Sequence, residues 1–109
     1  MAKHEFGLME TDPVPGVWYD EYEPQNYNCI SIDDDYIEPL LSELAEIGFF
    51  WHTLYRPEKG LAYYGITLIP PSSMGDVLAV LGDLEFFVPL RELLSKAKAE
   101  GRFVIHFGI

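Results

Sequence analysis

The sequence has one cysteine, seven lysines and arginines, and no apolar run near membrane length. A single thiol excludes an internal disulfide framework and any Cys-rich zinc or iron–sulfur site, and it suits a reducing compartment. Seven bases against 18 acids leave a formal charge of -11, which argues against nucleic acid and against anionic membranes. The longest apolar runs, such as Ile47 to Trp51, fall far short of the ~20 residues of a spanning helix. The start Met1-Ala-Lys-His-Glu-Phe6 meets charge before an export segment could form, so cytoplasm is the expected location. There is no G-x-G-x-x-G, no phosphate-binding Gly-Lys-Ser/Thr loop and no G-x-S-x-G elbow. His4, His52 and His106 show no metal-ligand spacing. No cofactor and no metal are expected.

What remains is one domain's worth of chain. Its 109 residues are 49% apolar and 15% aromatic, enough for a packed core without disulfides. The charge is unevenly placed. Residues 1–55 hold twelve acids and one base, Lys3, whereas residues 56–109 hold six of each, so the whole net charge belongs to the first half. Such an acidic half reads either as a solvated face or as a platform for a basic protein partner.

Residues 1–26 carry Pro13, Pro15 and Pro24 without sustained period and read as an acidic, aromatic arm. Val17, Trp18, Tyr19 and Tyr22 in it are costly to leave in water. Residues 27–109 read as a single α+β domain. Ile30 and Ile32 alternate in a strand over 27–32, and Ile37, Leu40, Leu41, Leu44 and Ile47 recur at helical spacing, with Gly48 as the stop. Residues 49–55 and 61–69 are aromatic and β-branched runs joined by Arg56-Pro-Glu-Lys-Gly60, a hairpin signature. Two helical stretches follow, capped by Ser73 and interrupted at Gly82, and residues 102–107 close with a strand. The order predicts a ferredoxin-like βαββαβ domain: a four-stranded antiparallel sheet with helices on one face and the last strand beside the first.

Such a sheet leaves one face open. Alternation sends Ile30, Ile32, Phe103, Ile105, Phe107, Ile66 and Leu68 inward, and Tyr27, Cys29, Trp51, Tyr55, Tyr63 and His106 outward. These six are the expected ligand or interface residues. Their aromatic rings bury on the order of 150–250 Å² each, too much for a bare face. The arm, a ligand or a second copy could cover it, and a homodimer through this face is the expectation.

Cys29 and His106 could form a thiol–imidazole pair, but alternation does not supply the geometry, and no catalytic residue is assigned. Asp33, Asp34 and Asp35 read as helix-entry acids, without the alternating spacing and glycine of a calcium loop. The stretch from Tyr27 to Pro39, the run from Gly60 to Pro71 and the ending Phe103-Val-Ile-His-Phe-Gly108 resemble a group of short uncharacterised bacterial proteins. That resemblance implies no activity and adds no site residue. The expected function is a non-enzymatic interaction or small-ligand-binding module working through the aromatic face. The alternative is an acidic inhibitor, immunity or antitoxin-type protein binding a basic partner, and a small-molecule enzyme comes third.

Overall fold

The computed structural model describes residues 2–109. The chain is α+β, with a fully antiparallel sheet in which six strands stand where four are expected. In chain order they are β1 (Lys3–Leu8), β2 (Ile30–Asp33), β3 (Gly48–Trp51), β4 (Pro57–Lys59), β5 (Ile66–Ile69) and β6 (Val104–Phe107). Their order across the sheet is β2-β1-β6-β5-β3-β4, which is not the ferredoxin-like arrangement.

Two additions make the difference. Residues 3–8, expected in the arm, form β1 and insert between β2 and β6, separating the strands that the ferredoxin-like reading makes neighbours. The second lies in the expected five-residue hairpin loop. The chain turns earlier, at His52, whose backbone sits in the left-handed region at φ 64°, and Trp51 N–H donates to Arg56 O. Residues 57–59 are thereby freed to pair with β3 as β4. A strand containing Pro57 is tolerated there because β4 is an edge and its outer N–H groups need no partner.

The helical layer consists of α1 (Asp34–Ile37), a 3-10 turn at Glu38–Leu40, α2 (Leu41–Leu44), α3 (Met74–Leu81) and α4 (Val88–Glu100). The single helix expected over this first stretch is broken where Pro39, which lacks an N–H and crowds the preceding turn, tightens the backbone into the 3-10 form. Gly101, at φ 66°, ends α4 as expected. Ser73 does not cap α3: its hydroxyl donates to Gly48 O at 2.6 Å, tying that helix to β3.

Both faces of the sheet are covered. On the helix side Phe6, Ile32, Phe49, Ile69 and Val104 pack against Ile37, Leu44, Met74, Val77, Leu81, Leu90 and Leu94. On the other side Ile66, Leu68, Ile105 and Phe107 form a second buried cluster with Met9, and Tyr19, Tyr27, Cys29 and Phe50 pack onto it. The open face of the sequence reading is therefore absent. Residues 9–27 lie across it, and the ground for a homodimer through it goes with it. Alternation also has the opposite phase in β5 and β6: Ile66, Leu68, Ile105 and Phe107 face the arm, while Thr67 and His106 face the helices.

Gly7 makes room for the arm. A side chain at this position of β1 would lie 2.5 Å from Tyr27 Cβ and 2.7 Å from Cys29 Sγ. Only glycine lets the returning chain sit flat on the strand.

Candidate functional site

The six expected surface residues do not form one surface. Tyr27 and Cys29 are half-buried beneath the arm-side cluster. Trp51 lies near the β4 edge, where its indole N–H donates to Gly60 O at 2.8 Å and the Arg56 guanidinium sits 5.4 Å from its ring. Tyr55 is 73% exposed on the loop after β3. His106 is fully buried, and only Tyr63 joins it in a common structure. Cys29 and His106 lie on opposite faces, so they form no thiol–imidazole pair. Burial and the neighbouring Glu5 charge push the Cys29 thiol up to about 12, which leaves it protonated and unreactive at neutral pH.

What His106 does instead was not legible. A chain of hydrogen bonds runs through the helix side of the sheet. Ala62 N–H donates to Thr67 Oγ1 at 2.8 Å, and Thr67 Oγ1 is 3.2 Å from His106 Nδ1. His106 Nε2 is 2.8 Å from His4 Nδ1, and His4 Nε2 is 2.8 Å from Asp34 Oδ1. The Tyr63 hydroxyl donates to Asp34 Oδ2 at 2.6 Å. One arrangement of protons leaves no donor or acceptor idle: Thr67 O–H donates to His106, His106 Nε2–H to His4, and His4 Nε2–H to Asp34. Every bond then points toward the carboxylate.

The electrostatics agree. Burial, with His4 beside it, pushes His106 down to about 3, so the ring is neutral at physiological pH. The hydrogen bonds from Tyr63 and His4 hold the Asp34 carboxyl below the usual range, and the same carboxylate pushes the Tyr63 phenol up to about 12. His106 is neutral, Asp34 ionised and Tyr63 protonated, the states in which their hydrogen bonds are complete. Asp33 takes the helix-entry role, accepting Asp35 N–H at 2.9 Å, while Asp34 belongs to the chain. Among the described residues, no group of three or more His, Cys, Asp or Glu side chains is arranged to hold a metal ion.

A wide opening lies on the other face of the same strands. Glu5, Phe107 and Ile66 stand side by side in register across β1, β6 and β5. They floor a groove of about 640 Å³ between the sheet end and the arm. Its walls include Asp20 and Tyr22 from the arm, His52, Tyr64, Ile109 and Lys3. Glu5 is 7% exposed, and its Oε1 accepts the Tyr22 hydroxyl, which raises the phenol above its ordinary range. His52 clasps the arm at the opposite wall. Its carbonyl accepts Tyr19 N–H at 2.7 Å, its Nδ1 donates to Tyr19 O at 2.9 Å, and its ring stacks on Trp18 with centroids 5.5 Å apart. The alternation of His4, Phe6 and Leu8 with Lys3, Glu5 and Gly7 was the available signal for this strand, though not for the groove, whose wall depends on the arm.

The chain matches no protein-family model, no curated protein and no solved structure. No helix among the described residues is long and apolar enough to cross a membrane.

Proposed function

We propose that this protein is a non-enzymatic interaction module that binds a basic protein partner through its arm-side surface. The observation that carries the reading is the composition of that surface. Trp18 is 53% exposed, Tyr22 63% and Tyr55 73%, and the exposed acids Glu10, Asp12, Asp20 and Glu21 lie in the same arm. Among the described residues none of these acids is in an ion pair; the cations Arg56, Lys59 and Arg102 pair with Glu58, Glu46 and Glu100 elsewhere. Solvent-facing tryptophan and tyrosine are costly to leave in water but supply the anchors of protein interfaces. Unpaired carboxylates around them add attraction and faster encounter for a cationic partner, at little desolvation cost while they remain at the rim.

The buried imidazole chain supports the same reading. Both imidazoles are fully buried and fully engaged, so neither offers a free nitrogen to a substrate.

The test is affinity capture from a lysate of the source cells with wild-type protein and with the double variant Asp20→Lys/Glu21→Lys, at low and high salt. A basic protein retained by the wild type at low salt, and lost with the variant or at high salt, is expected. Capture unaffected by charge reversal would overturn the proposal.

A further inference from the structure

We infer that the groove over Glu5 is the pocket for an arginine side chain of that partner. The inference rests on the basic-partner reading and adds the chemistry of the contact. Glu5 is a carboxylate more than nine-tenths buried on an otherwise apolar floor of Phe107 and Ile66. Among the described residues one of its oxygens has a partner, the Tyr22 hydroxyl, and the other forms no hydrogen bond. No buried side-chain oxygen among the described residues is both sealed from solvent and unpaired, so this second oxygen opens into the groove. Water meets that oxygen in the open groove, and a cation that displaces the water finds a carboxylate already largely desolvated by its apolar floor.

The walls favour guanidinium over ammonium. Tyr22, Tyr64 and His52 bring aromatic rings to the lining, and a planar guanidinium stacks on such rings while donating in-plane to a carboxylate. The compact ammonium of lysine uses neither property. Asp20 adds a second negative charge at the rim. Lys3, the lysine or arginine among the described wall residues, forms no ion pair there with Glu5 or Asp20. It opposes an incoming cation and weakens the site. A volume of about 640 Å³ falls within the range of sites that enclose ligands of drug size, so arginine and its flanking backbone fit together.

The experiment is an amide-resolved NMR titration of the full chain at low ionic strength with a capped Gly-Arg-Gly peptide. Its control is the same peptide carrying citrulline, which keeps the shape and loses the charge. Saturable shifts grouped at Glu5, Tyr22, Tyr64 and Ile109 are expected from the arginine peptide and none from the citrulline peptide. Glu5→Gln, which preserves size and an acceptor for Tyr22, should weaken binding roughly tenfold or more. Lys3→Gln should strengthen it several-fold, a gain that misfolding cannot mimic. Equal shifts from citrulline, shifts elsewhere, or unchanged binding by Glu5→Gln would overturn the assignment. So would tighter binding of methylguanidinium than of the peptide, since the site would then belong to a small free cation. Failure of this titration alongside a charge-sensitive capture refutes the groove and leaves the partner; a positive titration without capture does the reverse.

Discussion

His4 and His106 lie 102 positions apart in the chain, and their ring nitrogens meet at 2.8 Å inside the protein. The contact joins the strand that begins the fold to the strand that ends it, and both imidazoles are fully buried. Because β1 is one of the two strands that depart from the expected topology, this pair fixes its place: His4 is satisfied only if β1 lies beside β6 with Asp34 over its end.

The first consequence is an acid limit on stability. An unfolded histidine takes up its proton near pH ~6.5, whereas folded His106 resists until about 3. Between those values the unfolded state binds more protons, so stability is lost as pH falls below ~6.5, by up to about 1.4 kcal/mol per unit from this one group. Asp34, held low by Tyr63 and His4, acts in the same direction further down the scale. Urea unfolding at pH 7.5, 6, 5 and 4.5 should show the decline in the wild type and a shallower one in His106→Gln. Parallel declines in the two proteins would assign the effect to other groups.

Replacing Gly7 with alanine should dislodge the arm. The added methyl meets Tyr27 and Cys29 at distances no packed side chain tolerates, and the backbone of β1 is fixed by strands on both sides. The expected cost is roughly 1–3 kcal/mol, the usual penalty of overpacking. The helix-side core is not touched. Far-ultraviolet circular dichroism should therefore stay close to wild type while Tyr27 and Cys29 become accessible to solvent. A variant as stable as the wild type, with Cys29 still protected, contradicts the close approach.

Cys29 provides its own readout. With its thiol pushed up to about 12, its thiolate fraction at pH 8 is on the order of a thousandfold below that of an unperturbed cysteine. Reaction with iodoacetamide should be slower by a comparable factor in the folded wild type, and should recover in Gly7→Ala. Fast alkylation of the native protein would show that the arm does not hold this cysteine down.

Much of the fold is legible in the sequence, for reasons that identify what is not. Glycines 82 and 101 end α3 and α4 because positive φ suits no other residue so well. Ile30 and Ile32 face the helices as their alternation says. The phase of β5 and β6 could not be read because all four residues of each are buried, so alternation between two covered faces carries no sign. β1 was hidden by Lys3, His4 and Glu5, polar residues that suit an arm until long-range partners are known. His4, Asp34, Tyr63 and His106 are spread over the whole chain, and no spacing rule joins them. The groove needed the arm's path, which no periodicity encodes.

His52 tests whether the arm is clasped or merely resting. Its φ of 64° costs a residue with a Cβ about 1 kcal/mol, and its ring returns that through Tyr19 and Trp18. Two substitutions separate the parts. Both His52→Ala and His52→Gly remove the ring contacts, but only glycine also relieves the backbone. In an ordinary position alanine is more stable than glycine by roughly 0.4–1 kcal/mol, through the entropy of the unfolded chain. Here glycine should equal or exceed alanine, while both fall below wild type. Hydrogen exchange at the Tyr19 amide, which donates to the His52 carbonyl, should speed up in both variants, and Trp18 fluorescence should shift toward that of a solvated indole. Exchange at Ile69 and Val104, deep in the sheet, should change far less, because local release of the arm leaves the strand pairing in place. If alanine exceeds glycine in the usual way, or the Tyr19 amide exchanges no faster than in the wild type, then His52 does not hold the arm and the groove wall it forms is not fixed.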